Sequence, residues 1–332
     1  MNSTVLVTGA AGFIGSHVVD ALVARGETVV GLDNLNDYYD PARKRANVAE
    51  CRALAQASAG RYRFVEGDIR DRDLLARLWA EHGITAVAHL AAMAGVRASV
   101  DDPHLYVDVN LTGTLNLLEQ ARAGGLRSFV FASTSSVYAN TTVIPFIETD
   151  LCDRPLAPYP ATKRASELMG HTYHHLHGLS FTAVRLFTVY GPRGRPDMMA
   201  HKLLDNMFFG RTVPLYNAGQ MHRDWTYVTD TAAGIVAALD HPQGYEIINL
   251  GCAEPVLLAD FIAKVEAAAG RSTDLVAEPM QDADVAYTNA DITKARTLLG
   301  YEPRVRVDEG IAGLWSWYRE AVLGPNSGQA SG

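Results

Sequence analysis

Short apolar runs and helical patterns alternate along the first 190 residues of the chain. Near-continuous apolar strands that are joined by helices are typical of a parallel sheet covered on both faces. The predicted fold class is therefore α/β with a doubly wound parallel sheet. The pattern predicts strands at 4–7, 28–32, 61–65, 86–90, 128–132 and 181–187, and helices at 13–24, 42–57, 71–81, 106–122 and 160–176.

The pattern changes after residue 190, where glycines and prolines crowd into the stretch GPRGRP. Shorter elements of mixed type follow, which indicates a second, smaller mixed α/β domain. One part of this region, with a strand near Trp225, a helix and a strand near Ile247, is expected to return to the large sheet. The predicted division is a first domain at 1–190 with 221–252, a second domain at 191–220 with 253–322, and a disordered Gly/Ser-rich tail at 324–332.

The composition is that of a globular protein. Among 332 residues, 48% are hydrophobic and 20% are charged, which suits a sizeable core. The net charge of −8 has the wrong sign for diffuse binding to nucleic acid or to an anionic membrane, so we expect neither partner. The one dense basic cluster, Arg43-Lys44-Arg45, falls in a predicted helix and is expected to form a solvated face.

Cysteine usage and hydropathy indicate a cytoplasmic protein. Cys51, Cys152 and Cys252 are too far apart in the chain for a metal knuckle, and their odd number argues against a disulfide framework. The first strand begins so close to Met1 that we expect no signal peptide. No apolar run reaches membrane-spanning length, so no membrane partner is expected.

A glycine-rich turn joins the first strand to the first helix. Gly9, Gly12 and Gly15 have the spacing GxxGxxG, and Phe13 and Ile14 begin the helix. A phosphate at this turn would meet the N–H groups and the positive end of the helix, and glycine lets the backbone approach it closely. Glycines also close turns for structural reasons, so the strand–turn–helix context is what indicates a dinucleotide site.

Two acidic residues follow the next two strands. Asp33 lies eighteen residues past Gly15, where a carboxylate accepts hydrogen bonds from both hydroxyls of an adenosine ribose and repels a 2′-phosphate. NAD is therefore predicted over NADP. Asp68 either meets an adenine amino group or caps the next helix, and the sequence leaves both open.

Tyr159 and Lys163 form a Tyr-x-x-x-Lys pair in a predicted helix, so that both side chains lie on one face. A free phenol has a pKa of about 10. A lysine ammonium one turn away favours the phenolate, as would a positively charged nicotinamide ring. The preceding strand ends in the hydroxyl-rich stretch 133–136 (STSS), at the edge of the sheet where ligands of open α/β folds bind.

Together these features resemble the extended short-chain dehydrogenase/reductases that act on nucleotide sugars. The resemblance covers about residues 4–320 and is most specific for one branch, the UDP-glucuronate 4-epimerases. The stretches that carry it are GLDNLNDYYD at 31–40, HLAAMAGVRASVDDPHLYVDVNLTGT at 89–114, FTVYGPRGRPDM at 187–198 and RDWTYVTD at 223–230.

The resemblance implies a Rossmann-like NAD-binding domain, a smaller nucleotide-sugar-binding domain and reversible epimerisation at C4 of a UDP-hexuronic acid. Tyr159 as phenolate would take the proton from the sugar O4, helped by Thr134, while Lys163 holds the nicotinamide ribose. NAD would accept the C4 hydride and return it after the 4-keto sugar has turned. The resemblance also implies a homodimer, formed by the helices predicted at 106–122 and 160–176.

Matching the motifs residue by residue implies two sets of contacts. The carboxylate of the sugar would be held by hydroxyl donors and by Arg195, for which a pyrophosphate contact or a surface charge is the alternative. The cofactor set is Gly9, Gly12, Phe13, Ile14, Gly15, Asp33, Asn34, Asp68, Ile69, Leu90, Ala91, Ala92, Ser133, Tyr159 and Lys163, and the substrate set is Arg97, Ser135, Ser136, Thr188, Arg195, Arg223 and Gln281.

Three positions depart from the pattern of this branch. Ala139 replaces a usual glycine, and Met93 stands where glutamine is common. Asp282-Ala283-Asp284 replaces a more usual Pro-Gly-Asp in a segment that lies near the nucleotide in relatives. The last departure would therefore affect contacts to the base and the pyrophosphate of the nucleotide.

Related reactions remain alternatives. The 4,6-dehydratases carry Asp-Glu after the catalytic threonine, and UDP-glucuronate decarboxylases carry glutamate where Ser136 stands, whereas here Ser135 and Ser136 follow Thr134. These serines favour epimerisation with the carboxylate retained. A 4-epimerase of the galactose, pentose or 6-deoxy type remains open. A non-catalytic NAD-binding sensor or scaffold commonly lacks the tyrosine or the lysine, and both are present.

Four histidines crowd the end of the predicted helix at 160–176, and His171 and His175 have the i,i+4 spacing of metal ligands. No glutamate stands in the HExxH position, however. A solvated or dimer-facing helix surface is therefore expected, and no metal.

Overall fold

The computed structural model describes residues 4–139, 141–280 and 285–324. The strands are β1 (Thr4–Thr8), β2 (Thr28–Asp33), β3 (Arg61–Glu66), β4 (Ala86–His89), β5 (Ser128–Thr134), β6 (Phe181–Leu186), β7 (Thr188–Tyr190), β8 (Val213–Tyr216), β9 (His222–Tyr227), β10 (Tyr245–Leu250), β11 (Pro255–Leu257) and β12 (Leu275–Glu278). The α-helices are α1 (Phe13–Ala24), α2 (Pro41–Ala57), α3 (Arg72–His82), α4 (Ala98–Asp101), α5 (Pro103–Val107), α6 (Gly113–Ala123), α7 (Pro158–His177), α8 (Met199–Phe209), α9 (Val228–Asp240), α10 (Leu258–Ala269), α11 (Thr293–Leu299) and α12 (Val307–Ala321). Apart from Gly324, the tail predicted at 324–332 lies outside the described residues.

Seven parallel strands form the large sheet, in the order β10-β6-β5-β4-β1-β2-β3. The chain runs from β1 outward to β3 and restarts at β4 on the other side of β1. Val5 of β1 therefore lies between Val29 of β2 and Ala86 of β4. This confirms the predicted α/β, Rossmann-like, doubly wound sheet. Ligands of such sheets bind at the carboxyl edge, where the strand order reverses.

The sheet is apolar on both faces because alternate residues of a strand point to opposite sides. In β1, Val5 and Val7 belong to one core cluster with residues of α1 and α9, whereas Leu6 belongs to a second cluster with residues of α3 and α6. All three side chains are buried. Burial on both faces explains why these strands are unbroken apolar runs in the sequence.

The strand predicted near Trp225 does not join the large sheet. It is β9, which pairs in parallel with β7 and antiparallel with β11. The Trp225 ring stacks on the Phe261 ring with centroids 3.7 Å apart, inside a third core cluster that includes residues of α8, α10 and α12. Only α9 and β10 of the predicted segment pack on the large sheet. The division into two domains remains a prediction, which this separate cluster supports.

The helix predicted at 106–122 is interrupted. Its α5 and α6 parts are joined by a π-type turn at Asp108–Thr112. The carbonyl oxygen of Asn110 accepts hydrogen bonds from the hydroxyls of Thr114 (2.5 Å) and Ser166 (3.2 Å). These bonds compete with the helical ladder, and π turns of this kind are frequent at functional sites.

Two kinds of feature are absent from the described part of the chain. None of its helices is long and apolar enough to span a bilayer. No three of its His, Cys, Asp or Glu side chains form a group that could hold a metal ion. The rings of His171 and His175 stack 6.5 Å apart, and His171 packs edge-on against Tyr245.

Candidate active site

A cavity of about 390 Å³ opens at the carboxyl edge of the large sheet, where the strand order reverses. Its wall contains every residue of the predicted cofactor set. The same wall contains five residues predicted to act on the sugar, which are Thr134, Ser135, Ser136, Thr188 and Arg195. The structure therefore brings the predicted cofactor residues and most of the predicted sugar residues to one cavity.

The glycine turn is packed too tightly for larger residues. Gly9 has φ +71°, and a Cβ there would lie 2.8 Å from the backbone nitrogen of Ala91. A Cβ on Gly15 would lie 2.0 Å from the carbonyl oxygen of Gly9. Gly12 is the N-cap of α1 and has no side chain to bond the first N–H groups of the helix. The turn therefore presents a backbone donor set that fits a pyrophosphate.

Asp33 ends β2 beside the glycine turn. Its carboxylate accepts hydrogen bonds from the backbone N–H groups of Ala11 (3.1 Å) and Leu35 (2.9 Å). Burial raises the pKa of Asp33, while these hydrogen bonds and the Lys44 ammonium oppose the rise. The carboxylate is thus held in a fixed position at the cavity wall.

Asp68 is not a helix cap. The N-cap of α3 is Asp71, whose carboxylate accepts a hydrogen bond from the Leu74 N–H (2.9 Å). Asp68 accepts two hydrogen bonds from the Arg70 guanidinium (3.0 and 2.8 Å) and one from the Asn34 amide (2.9 Å). The Arg70 side chain is the main reason why the pKa of Asp68 falls to about 2. The capping alternative is therefore wrong, and a charged carboxylate stands at the cavity.

Tyr159 and Lys163 lie one turn apart near the start of α7, and both line the cavity. Lys163 is 3% exposed, and its Nζ donates a hydrogen bond to the carbonyl oxygen of Ala132 (2.8 Å). The same ammonium lies 4.7 Å from the centroid of the Phe131 ring. The lysine is therefore held against β5, the strand that also carries the hydroxyl-rich stretch.

Burial shifts the pKa values of this pair in opposite directions. It raises the pKa of Tyr159, against the influence of Arg195 and of a hydrogen bond with Thr134. It lowers the pKa of Lys163 to about 7, against the influence of Glu167. In the protein alone, both shifts favour neutral side chains.

The hydroxyl-rich stretch continues past the end of β5. Thr134 Oγ1 accepts a hydrogen bond from the Ser136 backbone N–H (3.1 Å) and donates one to Ser136 Oγ (3.2 Å). A short helical turn at Ser135–Tyr138 follows, and it ends at Ala139, which has φ +43°. The departure from glycine at position 139 thus falls in a conformation that favours glycine.

A second cavity of about 180 Å³ adjoins the first, since both are lined by Val96, Ser135, Ser136 and Thr188. Arg223, which the sequence predicts to be a substrate residue, lines the second cavity. Arg97 lines neither cavity, because its guanidinium stacks on the Tyr216 ring, 4.1 Å from the centroid. Gln281 and the departure at 282–284 lie outside the described residues.

Arg195 is already paired with a carboxylate at the cavity wall. Its Nε and Nη2 donate to the two oxygens of Asp197 at 3.0 and 3.1 Å. The Tyr38 hydroxyl donates to the same carboxylate at 3.2 Å. A sugar carboxylate would therefore have to compete with Asp197 or share the guanidinium with it.

The expectation of a solvated face for Arg43-Lys44-Arg45 is wrong for Lys44. Its side chain is 5% exposed and lines the cavity, where Nζ donates to both oxygens of Asn36 at 2.7 Å. Lys44 lies on the face of α2 that packs against the loop after β2, so its ammonium group is enclosed. Tyr38 also lines the cavity and was missed, although it stands inside the motif at 31–40.

A family model described as the NAD dependent epimerase/dehydratase family matches residues 5–251, well over half of the chain. The chain belongs to this family. A UDP-glucuronate 4-epimerase of Thermodesulfobacterium geofontis is 42% identical to it, over 96% of each chain. The solved structure of a UDP-glucuronic acid 4-epimerase from Bacillus cereus, in complex with UDP-glucuronic acid and NAD, has a TM-score of 0.86 and 36% identity, over 95% of this chain and 99% of the other.

The chain is also similar to an enzyme that is named for a neutral sugar. The structure of a UDP-glucose 4-epimerase from Thermotoga maritima with UDP-glucose has a TM-score of 0.85 and 30% identity, over 95% of this chain and 98% of the other. The overall fold therefore does not choose the sugar. Membership in the epimerase/dehydratase family confirms the predicted NAD cofactor.

Proposed function

We propose that the chain is an isomerase that interconverts UDP-glucuronate and UDP-galacturonate at C4 with bound NAD. The observation that carries the proposal is one cavity that joins the glycine turn and Asp33 to Tyr159, Lys163 and the hydroxyls after β5. The relatives from Thermodesulfobacterium geofontis and Bacillus cereus support a hexuronic acid as the sugar.

The residues present fit NAD. The N–H groups at the start of α1 would hold the pyrophosphate, Asp33 the adenosine ribose, and Lys163 the nicotinamide ribose. When bound, NAD would supply the acceptor for the C4 hydride and a positive charge in the cavity that Tyr159 lines. Burial alone raises the pKa of Tyr159, so this base depends on positive charge near its oxygen.

Tyr159 is the proposed base for the sugar O4 proton. Thr134 lies within hydrogen-bonding reach of its phenol and of Ser136, so it can hold the O4 hydroxyl during the transfer. The same phenol returns the proton to O4 after the keto sugar has turned, as reversibility requires. The two adjoining cavities support this arrangement, since Thr134 and Tyr159 line the larger one and Arg223 lines the smaller one.

A carboxylate clamp is the second part of the proposed mechanism. The 4-keto form of a hexuronic acid is a β-keto acid, which loses CO₂ when its C5–C6 bond aligns with the carbonyl π system. The protein must hold the carboxylate charged and out of that alignment until the hydride returns. Ser135, Ser136, Thr188 and Arg195 supply hydroxyl donors and one bidentate cation at the cavity wall.

A neutral UDP-hexose is the second candidate substrate. Asp197 already occupies the Arg195 guanidinium, so the charge that would select a carboxylate is partly neutralised. A neutral sugar would leave this pair undisturbed. Decarboxylation and dehydration are less well supported, because serines rather than acids follow Thr134.

The experiment is to incubate the NAD-loaded protein with UDP-glucuronate, UDP-glucose and UDP-xylose and to identify products by NMR. We expect UDP-galacturonate as the main product and little turnover of the neutral sugars. Faster turnover of UDP-glucose than of UDP-glucuronate would overturn both the substrate and the clamp.

Variants test the clamp directly. Arg195→Ala should weaken the binding of UDP-glucuronate much more than that of UDP-glucose. Ser136→Ala should raise the amount of UDP-pentose, the product of CO₂ loss, relative to the epimer. Arg154→Ala is the matched control, because this arginine is 88% exposed and lines neither cavity. Equal losses for both sugars in Arg195→Ala would instead assign Arg195 to the pyrophosphate.

A homodimer and a cytoplasmic location are further parts of the proposal. The helices predicted to dimerise expose apolar side chains, namely Val107 on α5 and Leu168 and Leu176 on α7 (46, 53 and 63% exposed). Such side chains support a partner on this face. The three cysteines are buried and free, as suits a reducing compartment.

A further inference from the structure

A buried carboxylate, Glu167, lies one turn of α7 past Lys163. It is 0% exposed and accepts hydrogen bonds from four donors on three elements. Ser133 Oγ donates at 2.5 Å, the Arg185 guanidinium at 3.0 and 2.9 Å, and Arg164 Nη1 at 2.9 Å. Arg185 on β6 is also fully buried. So complete a set of partners fixes the carboxylate in place.

Glu167 and Lys163 together hold α7 against β5. Lys163 donates to the carbonyl oxygen of Ala132, and Glu167 accepts from the hydroxyl of the next residue, Ser133. Two successive turns of the helix therefore contact two successive residues of the strand. Ser133 lines the cavity, so this contact lies directly behind the reactive pair.

The other titratable groups around this pair are mostly neutral. His89 on β4 faces Lys163, and burial holds its pKa well below the usual value, so its imidazole is uncharged. Around Glu167, burial raises the pKa values of Tyr138, Tyr245 and Cys152, so these groups are neutral in the working range. Among the described residues, the charges that act on the pair are Glu167, which faces Lys163, and Arg195, which faces Tyr159. Arg164 and Arg185 contact Glu167 itself.

We propose that Glu167 is a positioning residue that keeps the Lys163 ammonium charged and aimed at the nicotinamide side of the cavity. The inference rests on the proposed function only in taking Tyr159 as the base. Glu167 touches neither substrate nor cofactor, because its carboxylate is enclosed by Ser133, Arg164 and Arg185.

The need for such a charge follows from proton counting. A neutral Tyr159–Lys163 pair and a phenolate–ammonium pair contain the same number of protons, so pH alone does not choose between them. Burial favours the neutral pair, since it raises the pKa of Tyr159 and lowers that of Lys163. A fixed carboxylate one turn from Lys163 and two turns from Tyr159 favours the reactive, charged pair.

The experiment titrates Lys163 itself. The chain has only five lysines, so the full-length protein labelled with ¹³Cε-lysine gives few signals, and the one missing in Lys163→Arg identifies Lys163. Removing the carboxylate in Glu167→Gln should lower the Lys163 titration midpoint by about 1–3 pH units. Arg185→Met removes a cation instead, so it should raise the midpoint. Glu119→Gln, at an exposed carboxylate on α6, is the control and should leave it unchanged.

Folding is checked by circular dichroism, and Glu167→Gln with Arg185→Met provides a variant without an unpaired buried charge. Its Lys163 midpoint should still fall, because Glu167 lies one helical turn from Lys163. The fall should be smaller than in Glu167→Gln, because the double variant has also lost the Arg185 cation. A folded Glu167→Gln or double variant with an unshifted midpoint would overturn the proposal. Shifts in the same direction in both single variants would also do so, since they would indicate a general structural change.

Measurements of turnover distinguish the proposed epimerase function from the positioning role of Glu167. If the proposed function holds, Glu167→Gln should lower kcat at neutral pH at least tenfold with little change in KM. A wild type that epimerises none of the UDP-sugars would overturn the proposed function, while the Lys163 titration, which needs no sugar, would still decide the role of Glu167. A full kcat in a folded Glu167→Gln variant of an active epimerase would overturn the positioning role.

Discussion

At the scale of residues, the site contains titratable side chains whose pKa values are shifted by burial in the fold. Burial raises the pKa of Tyr159 and lowers that of Lys163 to about 7, although the Tyr-x-x-x-Lys spacing alone predicted that the lysine would favour the phenolate. The spacing was sufficient to place both side chains at one cavity wall. It could not reveal the cost of burying them, because that depends on the strands and loops packed around α7.

Tyr159→Phe should nearly abolish turnover, because a positioned proton acceptor contributes a factor of about 10²–10⁴. The ring packs edge-on against Tyr106 with centroids 6.2 Å apart, and phenylalanine preserves this contact, so the fold and NAD binding should survive. Steady-state kinetics and NAD titration measure the two effects. A Phe variant with most of its activity would remove Tyr159 from the role of base.

NAD should bind at least tenfold more tightly than NADP, which is about 1.4 kcal/mol. The Asp33 carboxylate is buried and fixed by two backbone N–H groups, so it cannot turn away from a 2′-phosphate. Calorimetric titration with NAD and with NADP measures the ratio of the two affinities, and Asp33→Asn should reduce this ratio. Asp73→Asn, at an exposed position on α3, is the control. Equal affinities in the wild type would mean that Asp33 does not read the ribose.

At the scale of elements, the sequence predicted most of the large sheet because its strands are apolar on both faces. It failed where contacts distant in sequence decide the outcome. The strand near Trp225 pairs with β7 and β11 instead of the large sheet, and its indole packs on Phe261 of α10. The helix predicted at 106–122 contains a π-type turn, in which the Asn110 carbonyl oxygen accepts a hydrogen bond from Ser166 of α7. Neither partner is visible in the local pattern.

Ala139→Gly should stabilise the turn that follows β5. A non-glycine residue with positive φ costs about 1–3 kcal/mol, and the extra freedom of glycine in the unfolded chain offsets about 0.5–1 kcal/mol of the gain. We therefore expect a net gain of about 1 kcal/mol and a rise in Tm of about 2 °C. Thermal unfolding measures it.

Ala80→Gly, at an exposed position inside α3, is the matched control for Ala139→Gly. The same substitution there should destabilise by about 1 kcal/mol, because glycine is unfavourable in a helix. Destabilisation at both positions would show that the backbone at Ala139 is not strained.

At the scale of the whole molecule, the loop after β7 is bound by side-chain contacts to α1, to α2 and to the loop after β2. Arg193, at φ +61°, pairs with Asp20 of α1 and Glu50 of α2, each at 2.7 Å. The Asp197 carboxylate accepts a hydrogen bond from the hydroxyl of Tyr38, which lies in the loop after β2. The motif at 187–198 identified this loop, but its partners lie more than 140 positions earlier and could not be paired with it from the sequence.

Leu176→Glu should convert a dimer to a monomer if α5, α6 and α7 form the proposed interface. Leu176 is 63% exposed near the end of α7, and a carboxylate there would be buried without a partner in a dimer, which is strongly unfavourable. Light scattering on size-exclusion fractions measures the mass of each species. Leu151→Glu is the control, because Leu151 is 72% exposed in the loop before α7 and should leave the dimer intact. A wild type that is monomeric at micromolar concentration, or a Leu176→Glu variant that remains dimeric, would rule out this interface.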